Sequence, residues 1–242
     1  MDGAMKAIIL AAGKGTRMRP LTNTCPKPLL AVAGRPLIEH IAGALPDEVD
    51  EFIIVIGYLG NKIRNFFGST FLGKPVTYVT QIETKGTFHA LGLVKHLISP
   101  GERFFVLYGD DLHGAEGLKE CLQYPRALVV SLVDDPRPYG NVEVDGRNII
   151  TSMVEKPTEP RGNLISTGVL LLDSNIFKYP PKPHPKNGEY FLATAVADML
   201  KIYPYTAVSS SFWFPVTTPE HMIEADRILR TQEIAKKIFI QN

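Results

Sequence analysis

From Ile9 to Leu30 the chain reads ILAAGKGTRMRPLTNTCPKPLL. A short apolar strand, Met5 to Ala11, breaks at Ala12-Gly13 into a loop carrying Gly15, Thr16, Arg17 and Arg19. Pro20, Pro26 and Pro28 follow, and Lys27 is held between two of them. Small residues after a buried strand let the backbone approach a ligand closely, and glycine also permits positive φ. Consecutive N–H groups there cradle phosphate oxygens. Thr16 adds a hydroxyl, Arg17 a forked cation matched to phosphate, and Lys27 a compact charge whose flanking prolines reduce the entropy lost in fixing it. Two spaced cations on a glycine loop suit a polyphosphate that develops charge as it reacts. A tight turn explains a lone G-x-G equally well, and two better-known phosphate loops do not fit. The dinucleotide pattern G-x-G-x-x-G fails because Met18 stands at the third glycine, which disfavours a dinucleotide dehydrogenase. No Gly-Lys-Ser/Thr follows at Walker spacing.

The 242 residues suffice for one large α/β domain. Hydrophobic residues make up 45% and charged residues 21%, so the chain can bury a core and is not of disordered composition. A net charge of +1 gives no ground for nucleic-acid or membrane binding, so any cation cluster has to be local, as in the loop. The longest apolar runs, such as Ala7 to Ala12, fall far short of the ~18 residues that span a bilayer. Asp2 and Lys6 interrupt the N-terminus, so no signal peptide is expected, and Met1 to Ala4 reads as a leader ahead of a start at Met5. Cys25 and Cys121 are too few for a disulfide framework or a zinc site, and the six histidines form no H-x-x-x-H pair. Cys25, near Lys27, reads as a bystander thiol. The expectation is a soluble cytoplasmic protein, with homo-oligomerisation left open.

Beyond the loop, Leu37, Ile38, Ile41 and Leu45 recur at helical spacing behind Pro36, which suits a first turn. Phe52 to Ile56 is a continuous apolar run, expected as a buried parallel strand. Leu59 to Phe67 reads as a helix and Val76 to Thr80 as a strand, giving the alternation of an open sheet wrapped by helices. Ligands of such sheets sit at the carboxyl ends of strands. The strand from Val76 delivers Gln81, whose amide has the donor and the acceptor to read a pyrimidine imide edge. Gly86-Thr87 then opens a helix with apolar Ala90, Leu91, Val94 and Leu97, the glycine leaving room for a base. A surface glutamine on an ordinary strand–loop–helix is the plainer reading. Arg103 to Tyr108 is the next strand and ends in Gly109-Asp110-Asp111, well placed for Mg²⁺; a solvated Asp-Asp turn is the alternative.

A helix from Ala115 to Leu122, a strand from Ala127 to Val133 and a proline-rich turn at Asp134 to Pro138 follow. Val142 to Ile150 reads as a hairpin about Asp145-Gly146, and Asn163 to Asp173 as a strand. Glu155-Lys156 is either a contact to sugar and phosphate or a surface ion pair. Gly188 opens an expected helix to Ile202, in which Glu189 would equally suit the first turn. Thr218, Pro219 and Glu220 are the N-cap, first position and dipole-matched acid of a long last helix, with Met222, Ala225, Ile228 and Leu229, ending by Asn242. No hexapeptide repeats follow it, so a fused acyltransferase β-helix is not expected.

Gly13 to Thr22, G-x-G-T-R-M-x-P-L-T, followed by Pro26-Lys27-Pro28, resembles the signature of the sugar-1-phosphate nucleotidylyltransferases, or nucleotide-sugar pyrophosphorylases. The motifs are most similar to those of glucose-1-phosphate thymidylyl- and uridylyltransferases, and the resemblance extends over nearly the whole chain. It implies a three-layer α/β/α fold with a mostly parallel, Rossmann-like sheet. It implies a nucleotide-binding part at about 5–133, a small inserted sugar-binding part at about 134–215 and a C-terminal helix at 218–242. The implied reaction moves a nucleotidyl group from an NTP, UTP or dTTP in preference, to a sugar 1-phosphate, with Mg²⁺ as cofactor. On this pattern Leu10, Ala11, Ala12, Gly13, Gly15, Thr16, Arg17 and Gly109 line the nucleotide, with Gln81, Gly86 and Thr87 at its base. Arg17 holds the pyrophosphate, Lys27 neutralises the transition-state oxygens, Asp110 carries the metal and Lys156 steers the sugar phosphate. Asp111, Gly140, Glu155, Thr167 and Glu189 fall at the sugar.

One segment departs from the pattern. The family's Trp-x-Asp-x-Gly-Thr-Pro becomes Trp213-Phe214-Pro215-Val216-Thr217-Thr218-Pro219, so a proline replaces the aspartate that completes the metal site. Three readings follow: Asp110 with phosphates and water suffices, another acid substitutes, or catalysis is impaired and a nucleotide-sugar-binding protein remains. The nearest other alternative is the same fold using GTP or CTP with another phosphorylated substrate.

Overall fold

The computed structural model describes residues 4–240. The leader expected over Met1 to Ala4 lies, Ala4 apart, outside the described residues, as does the end of the last helix at Asn242. The strands and helices of the first half are β1 (Met5–Ala11), β2 (Ala31–Val32), β3 (Arg35–Pro36), α1 (Leu37–Gly43), β4 (Val49–Ile56), α2 (Gly60–Phe67), β5 (Thr70–Phe71), β6 (Lys74–Thr80), α3 (Thr87–Gly92), β7 (Arg103–Tyr108), β8 (Asp111–His113) and α4 (Ala115–Cys121). The second half adds β9 (Ala127–Leu132), β10 (Gly140–Val144), β11 (Ile150–Glu155), β12 (Leu164–Asp173), α5 (Leu192–Met199), β13 (Thr206–Ser209), β14 (Trp213–Pro215) and α6 (Pro219–Ile240). The glycine loop after β1 is tied down by short 3₁₀ turns at Thr16–Met18, Leu21–Asn23 and Lys27–Leu29.

Continuous apolar runs make the centre of the sheet, because strands covered on both faces have no polar side to show. β6, β4, β1 and β7 lie side by side and parallel. β12 then runs antiparallel to β7 through Val169–Asp173. Its opposite edge pairs with β9, beside which β13 is parallel. The β10–β11 hairpin attaches where Gly140 and Asn141 meet Ser166 and Ile165 of β12. One ten-stranded sheet therefore runs from the glycine loop through the hairpin.

Side chains alternate across this sheet. Ala7, Ile9 and Ala11 of β1 face a core with Ile38 and Ile41 of α1, Ile63 and Phe67 of α2, and Leu118 and Cys121 of α4. Ile8 faces the other core, with Ala90 and Leu91 of α3 and Leu192, Val196 and Met199 of α5. The result is the expected three-layer α/β/α arrangement. Each fully buried Ile, Leu, Val or Phe contributes about 1.5–3 kcal/mol, so these two cores carry most of the stability. A third cluster sits under the loop: Met18, Leu30, Val32, Leu37, Leu112, Val216 and Ala225. Met18 is fully buried there, which gives a packing reason for a methionine at the position of a third glycine. Among the described residues no helix is long and apolar enough to cross a membrane.

Three expectations about elements are corrected. Pro36 is not in a first helical turn; it closes the β2–β3 pair and precedes α1 with extended φ and ψ. The helix expected from Gly188 begins only at Leu192 and ends at Met199. Tyr190 is held instead by its N–H donating to the Lys85 carbonyl (2.8 Å) and its carbonyl accepting from Phe88 N–H (2.8 Å). Glu189 therefore stands in a loop, not in a first turn. The solvated turn offered as the alternative for Asp110-Asp111 is not found: Asp111 is buried and begins β8, which pairs Asp111 to His113 with Trp213 to Pro215. Thr206 to Ser209 forms β13. The last helix begins as expected, with His221 N–H donating to Thr218 Oγ1 at 3.3 Å.

Candidate active site

The carboxyl ends of β1, β6 and β7 open into a cleft of about 480 Å³. Every residue singled out from the sequence lines it: Leu10, Ala11, Ala12, Gly13, Gly15, Thr16, Arg17, Lys27, Gln81, Gly86, Thr87, Gly109, Asp110, Asp111, Gly140, Glu155, Lys156, Thr167 and Glu189.

The loop is shaped by its glycines and one threonine. Gly15 has φ +59, where side chains are strained, and a Cβ there would lie 3.1 Å from Thr22 Cγ2 and 3.2 Å from Lys27 Cβ. Its carbonyl accepts from Thr22 Oγ1 at 2.8 Å and from Met18 N–H at 2.9 Å. Gly13 has open space on its Cβ side, so the backbone at the loop's start is approachable. Arg17 is exposed beside it. Lys27, by contrast, is only 7% exposed, and its Nζ donates to Asp110 Oδ2 at 2.9 Å across 83 residues of chain.

Asp110 and Asp111 diverge in environment. The Asp110 side chain remains 36% exposed. Asp111 is buried, and Trp213 Nε1 donates to its Oδ2 at 3.2 Å. Burial, then the charge of Asp110, push the Asp111 carboxyl well above the usual range, against the pull of Lys27, Trp213 and Arg17. Pro215 lies directly opposite Asp111 in the β8–β14 pair, and Val216 N–H donates to the Asp110 carbonyl at 3.3 Å. Among the described residues no group of three or more His, Cys, Asp or Glu gathers as a metal cluster. What is present is one accessible carboxylate beside a lysine, with a buried second acid behind it. Such a set fits Mg²⁺, which is commonly held by one or two carboxylates plus substrate phosphates and water.

At the β6 end, Gln81 is buried with its backbone N–H donating to the Ile56 carbonyl at 2.8 Å. Its amide Nε2 donates to the Gly86 carbonyl (3.4 Å) and to His89 Nδ1 (2.9 Å). Gly86 has φ +96, and a Cβ would lie 2.6 Å from the Tyr190 carbonyl oxygen and 2.7 Å from its nitrogen. The space that glycine leaves is thus filled by Tyr190 backbone, and the expectation that it makes room for a base is corrected. Thr87 Oγ1 accepts from Leu192 N–H at 2.9 Å, joining the starts of α3 and α5.

At the hairpin end, Lys156 N–H donates to the Tyr139 carbonyl at 2.9 Å, which brings the segments at Gly140 and Glu155 together. Lys156 takes φ +46, costly for a residue with a Cβ, and its Nζ stands 3.6 Å from Glu155 Oε1 and 5.0 Å from the centre of the Phe191 ring. Burial raises the Glu155 carboxyl above its usual range, and Lys156 opposes this. The Glu189 carboxylate accepts from Asn187 Nδ2 at 3.1 Å. Thr167 faces the cleft, but its hydroxyl donates to the Val129 carbonyl at 3.0 Å, so its donor is already engaged.

Sequence reading passed over several cleft residues. Tyr108 ends β7 and lies so close to Gly168 that a Cβ there would meet its Cδ2 at 2.7 Å. Phe191 lies under Lys156 and Met153 beside Gly140, while Tyr139, whose Tyr139-Gly140 segment resembles the family's sugar-binding one, packs edge-on to Trp213 at 5.3 Å. Tyr108 had a usable signal, as the last residue of a buried strand before Gly109-Asp110. The others depend on contacts between distant segments.

A family model described as nucleotidyl transferase matches residues 6–232. The bifunctional protein GlmU of Methanocaldococcus jannaschii is 33% identical over 227 residues, covering 93% of this chain and 54% of that protein. The UTP–glucose-1-phosphate uridylyltransferase AglF of Haloferax volcanii is 32% identical over 240 residues, covering 94% of this chain and 98% of that protein. A solved structure from Bacillus anthracis, assigned as a glucose-1-phosphate thymidylyltransferase, superposes with a TM-score of 0.83 at 29% identity, over 94% of this chain and 96% of that one. The chain spans about half the length of the GlmU relatives it matches.

Proposed function

The chain belongs to the nucleotidyl transferase family, and from that premise we propose that it transfers a nucleotidyl group from UTP or dTTP to a sugar 1-phosphate, releasing pyrophosphate and forming an NDP-sugar. The observation that carries this reading is the arrangement of one cleft. The Lys27–Asp110 pair stands between Gln81 at the β6 end and Glu155-Lys156 at the hairpin end. Residues 5–133 supply the nucleotide side and 134–215 the sugar side.

A phosphate oxygen of the sugar 1-phosphate attacks the α-phosphorus in line. A bond forms from that oxygen to the α-phosphorus, and the α–β bridging bond breaks with its electron pair leaving on pyrophosphate. The protein forms no covalent bond, so its work is positioning and charge stabilisation. The loop N–H groups from Gly13 to Thr16 hold the phosphates, and Arg17 meets the departing pyrophosphate. Lys27, already fixed at 2.9 Å from Asp110, neutralises the oxygens that gain charge. Lys156 orients the nucleophile's phosphate, and Glu155, Glu189 and Gly140 meet the sugar. Asp110 is the residue that would hold Mg²⁺, which when bound neutralises phosphate charge.

Pro215 opposite Asp111 favours one second reading, a nucleotide-sugar-binding protein without turnover. A pyrophosphate-release screen over the four NTPs and a panel of sugar 1-phosphates, with saturating Mg²⁺, separates the two. Turnover with UTP or dTTP is the expected result. Turnover confined to GTP or CTP overturns the base assignment, and ligand-induced thermal shifts without any turnover support the second reading.

A further inference from the structure

Gln81 sits at the carboxyl end of β6 with little freedom. Its backbone N–H continues the ladder to β4 by donating to the Ile56 carbonyl at 2.8 Å, and the residue is 5% exposed. A primary amide can usually present either its oxygen or its nitrogen to a ligand, because a half-turn exchanges them at small cost. Here the exchange is disfavoured. The Gly86 carbonyl can only accept, and it receives Nε2 at 3.4 Å. The second Nε2 hydrogen goes to His89 Nδ1 at 2.9 Å, the shorter of the two bonds. Since the amide nitrogen only donates, Nδ1 accepts in this arrangement, which calls for the ring tautomer with its proton on Nε2. Turning the amide over would set its oxygen against the Gly86 carbonyl and would require His89 to move its proton to Nδ1. Oε1, which meets no donor among the described residues, is therefore the atom left for the cleft.

A lone acceptor discriminates between pyrimidines. Uracil and thymine carry an N–H at ring position 3, which donates to Oε1. Cytosine carries a lone pair at that position and would be repelled. We propose that His89 is a specificity-determining positioning residue: by locking the sense of the Gln81 amide, it makes the site accept uracil or thymine and reject cytosine. The inference rests on the proposed placement of the base at Gln81.

The test is the ratio of dissociation constants for CTP and UTP, measured by titration calorimetry with Mg²⁺ on the full chain and on His89→Phe, His89→Asn and Gln81→Ala. The wild-type chain is expected to favour UTP. Phenylalanine keeps a ring but removes the acceptor, so the ratio should fall by about tenfold or more as the amide is then held only by the longer contact to the Gly86 carbonyl. Asparagine, whose side-chain oxygen can stand in for Nδ1, should restore most of it. A merely structural histidine would weaken both nucleotides together and leave the ratio intact, and that result overturns the proposal. Gln81→Ala separates the two levels: collapse of the ratio in Gln81→Ala but not in His89→Phe sinks only the role of His89. A ratio unchanged in Gln81→Ala, or no UTP preference in the wild type, removes the base placement itself. Independently of any variant, the ¹⁵N shifts of His89 should report a proton on Nε2 and none on Nδ1 at neutral pH. A protonated Nδ1 contradicts the lock.

Discussion

Gly86→Ala tests how the two ends of the cleft are joined. Gly86 has φ +96 and ψ 176, a region that essentially only glycine occupies, so an alanine forced to stay there costs about 1–3 kcal/mol. Its Cβ would also stand 2.6, 2.7 and 3.0 Å from the oxygen, nitrogen and carbonyl carbon of Tyr190. These are backbone atoms, so the strain cannot be relieved by turning a side chain. Tyr190 must move, and with it the two hydrogen bonds that clamp it, Phe88 N–H to its carbonyl and its own N–H to the Lys85 carbonyl. At about 1 kcal/mol each, the total against the native arrangement is about 3–5 kcal/mol. Phe88 and Leu192 are anchored in the second core whereas Glu189 and Tyr190 belong to neither core, so the segment around Tyr190 should release before the molecule unfolds. Native-state hydrogen exchange is the assay: the Phe88 and Tyr190 amides should exchange faster by about two to three orders of magnitude. The KM for the sugar phosphate should rise more than that for the nucleotide, because Lys156 loses the Phe191 ring beneath it. Unchanged exchange at both amides would refute the reasoning.

Three further expectations follow from the same geometry. Lys27→Met should lower turnover by about 10²–10³, as for loss of one charge-stabilising donor, while thermal stability shifts little because the Asp110 side chain is 36% exposed and can be hydrated; kinetics paired with melting curves check both halves. His113 is buried with neither ring nitrogen partnered among the described residues, and burial lowers its pKa to about 4 from 6.5, so its contribution is present above about 6.5 and is lost as pH falls through 4. Urea titrations at several pH values should give the wild type an extra acid sensitivity of up to about 1.4 kcal/mol per unit in that window, and His113→Phe should lack it. Burial raises the Glu155 carboxyl above its ordinary value of 4.5, so folding is favoured below that value and loses ground as pH rises through the folded pKa. Glu155→Gln should accordingly gain stability relative to wild type at neutral pH but not at pH 4, while its KM for the sugar phosphate increases; equal pH profiles for the two proteins would contradict the assignment.

Much of this fold is legible because its centre obeys a local rule. β1, β4 and β7 are continuous apolar runs, and the strand ends that follow them carry Gly13, Gly57 and Gly109-Asp110. That pattern alone points to an open sheet with its cleft at the carboxyl edge. What escapes reading depends on partners remote in sequence. β8 and β14 are three residues each, and one contains a proline; neither has a period to detect, and each exists because the other is there. Gly188 to Phe191 has a helix-like continuation into α5, yet Tyr190 is captured by the loop before α3. The site behaves alike. Residue types put Asp110 and Gln81 at strand ends and Lys27 in the loop after β1, but did not show the Lys27–Asp110 bond, the His89 contact or the Tyr190 backbone that explains Gly86. Each of these is a tertiary contact with no local signature.

The central claim is attack by a sugar phosphate on the α-phosphorus of the nucleotide. The most direct measurement supplies the chain with UTP, Mg²⁺ and a sugar 1-phosphate carrying ¹⁸O in its phosphoryl oxygens, and follows the products by mass spectrometry. The account predicts that all of the label stays in the sugar-linked phosphate of the UDP-sugar and that the released pyrophosphate is unlabelled. Label in pyrophosphate, or release of UMP without UDP-sugar, would contradict it.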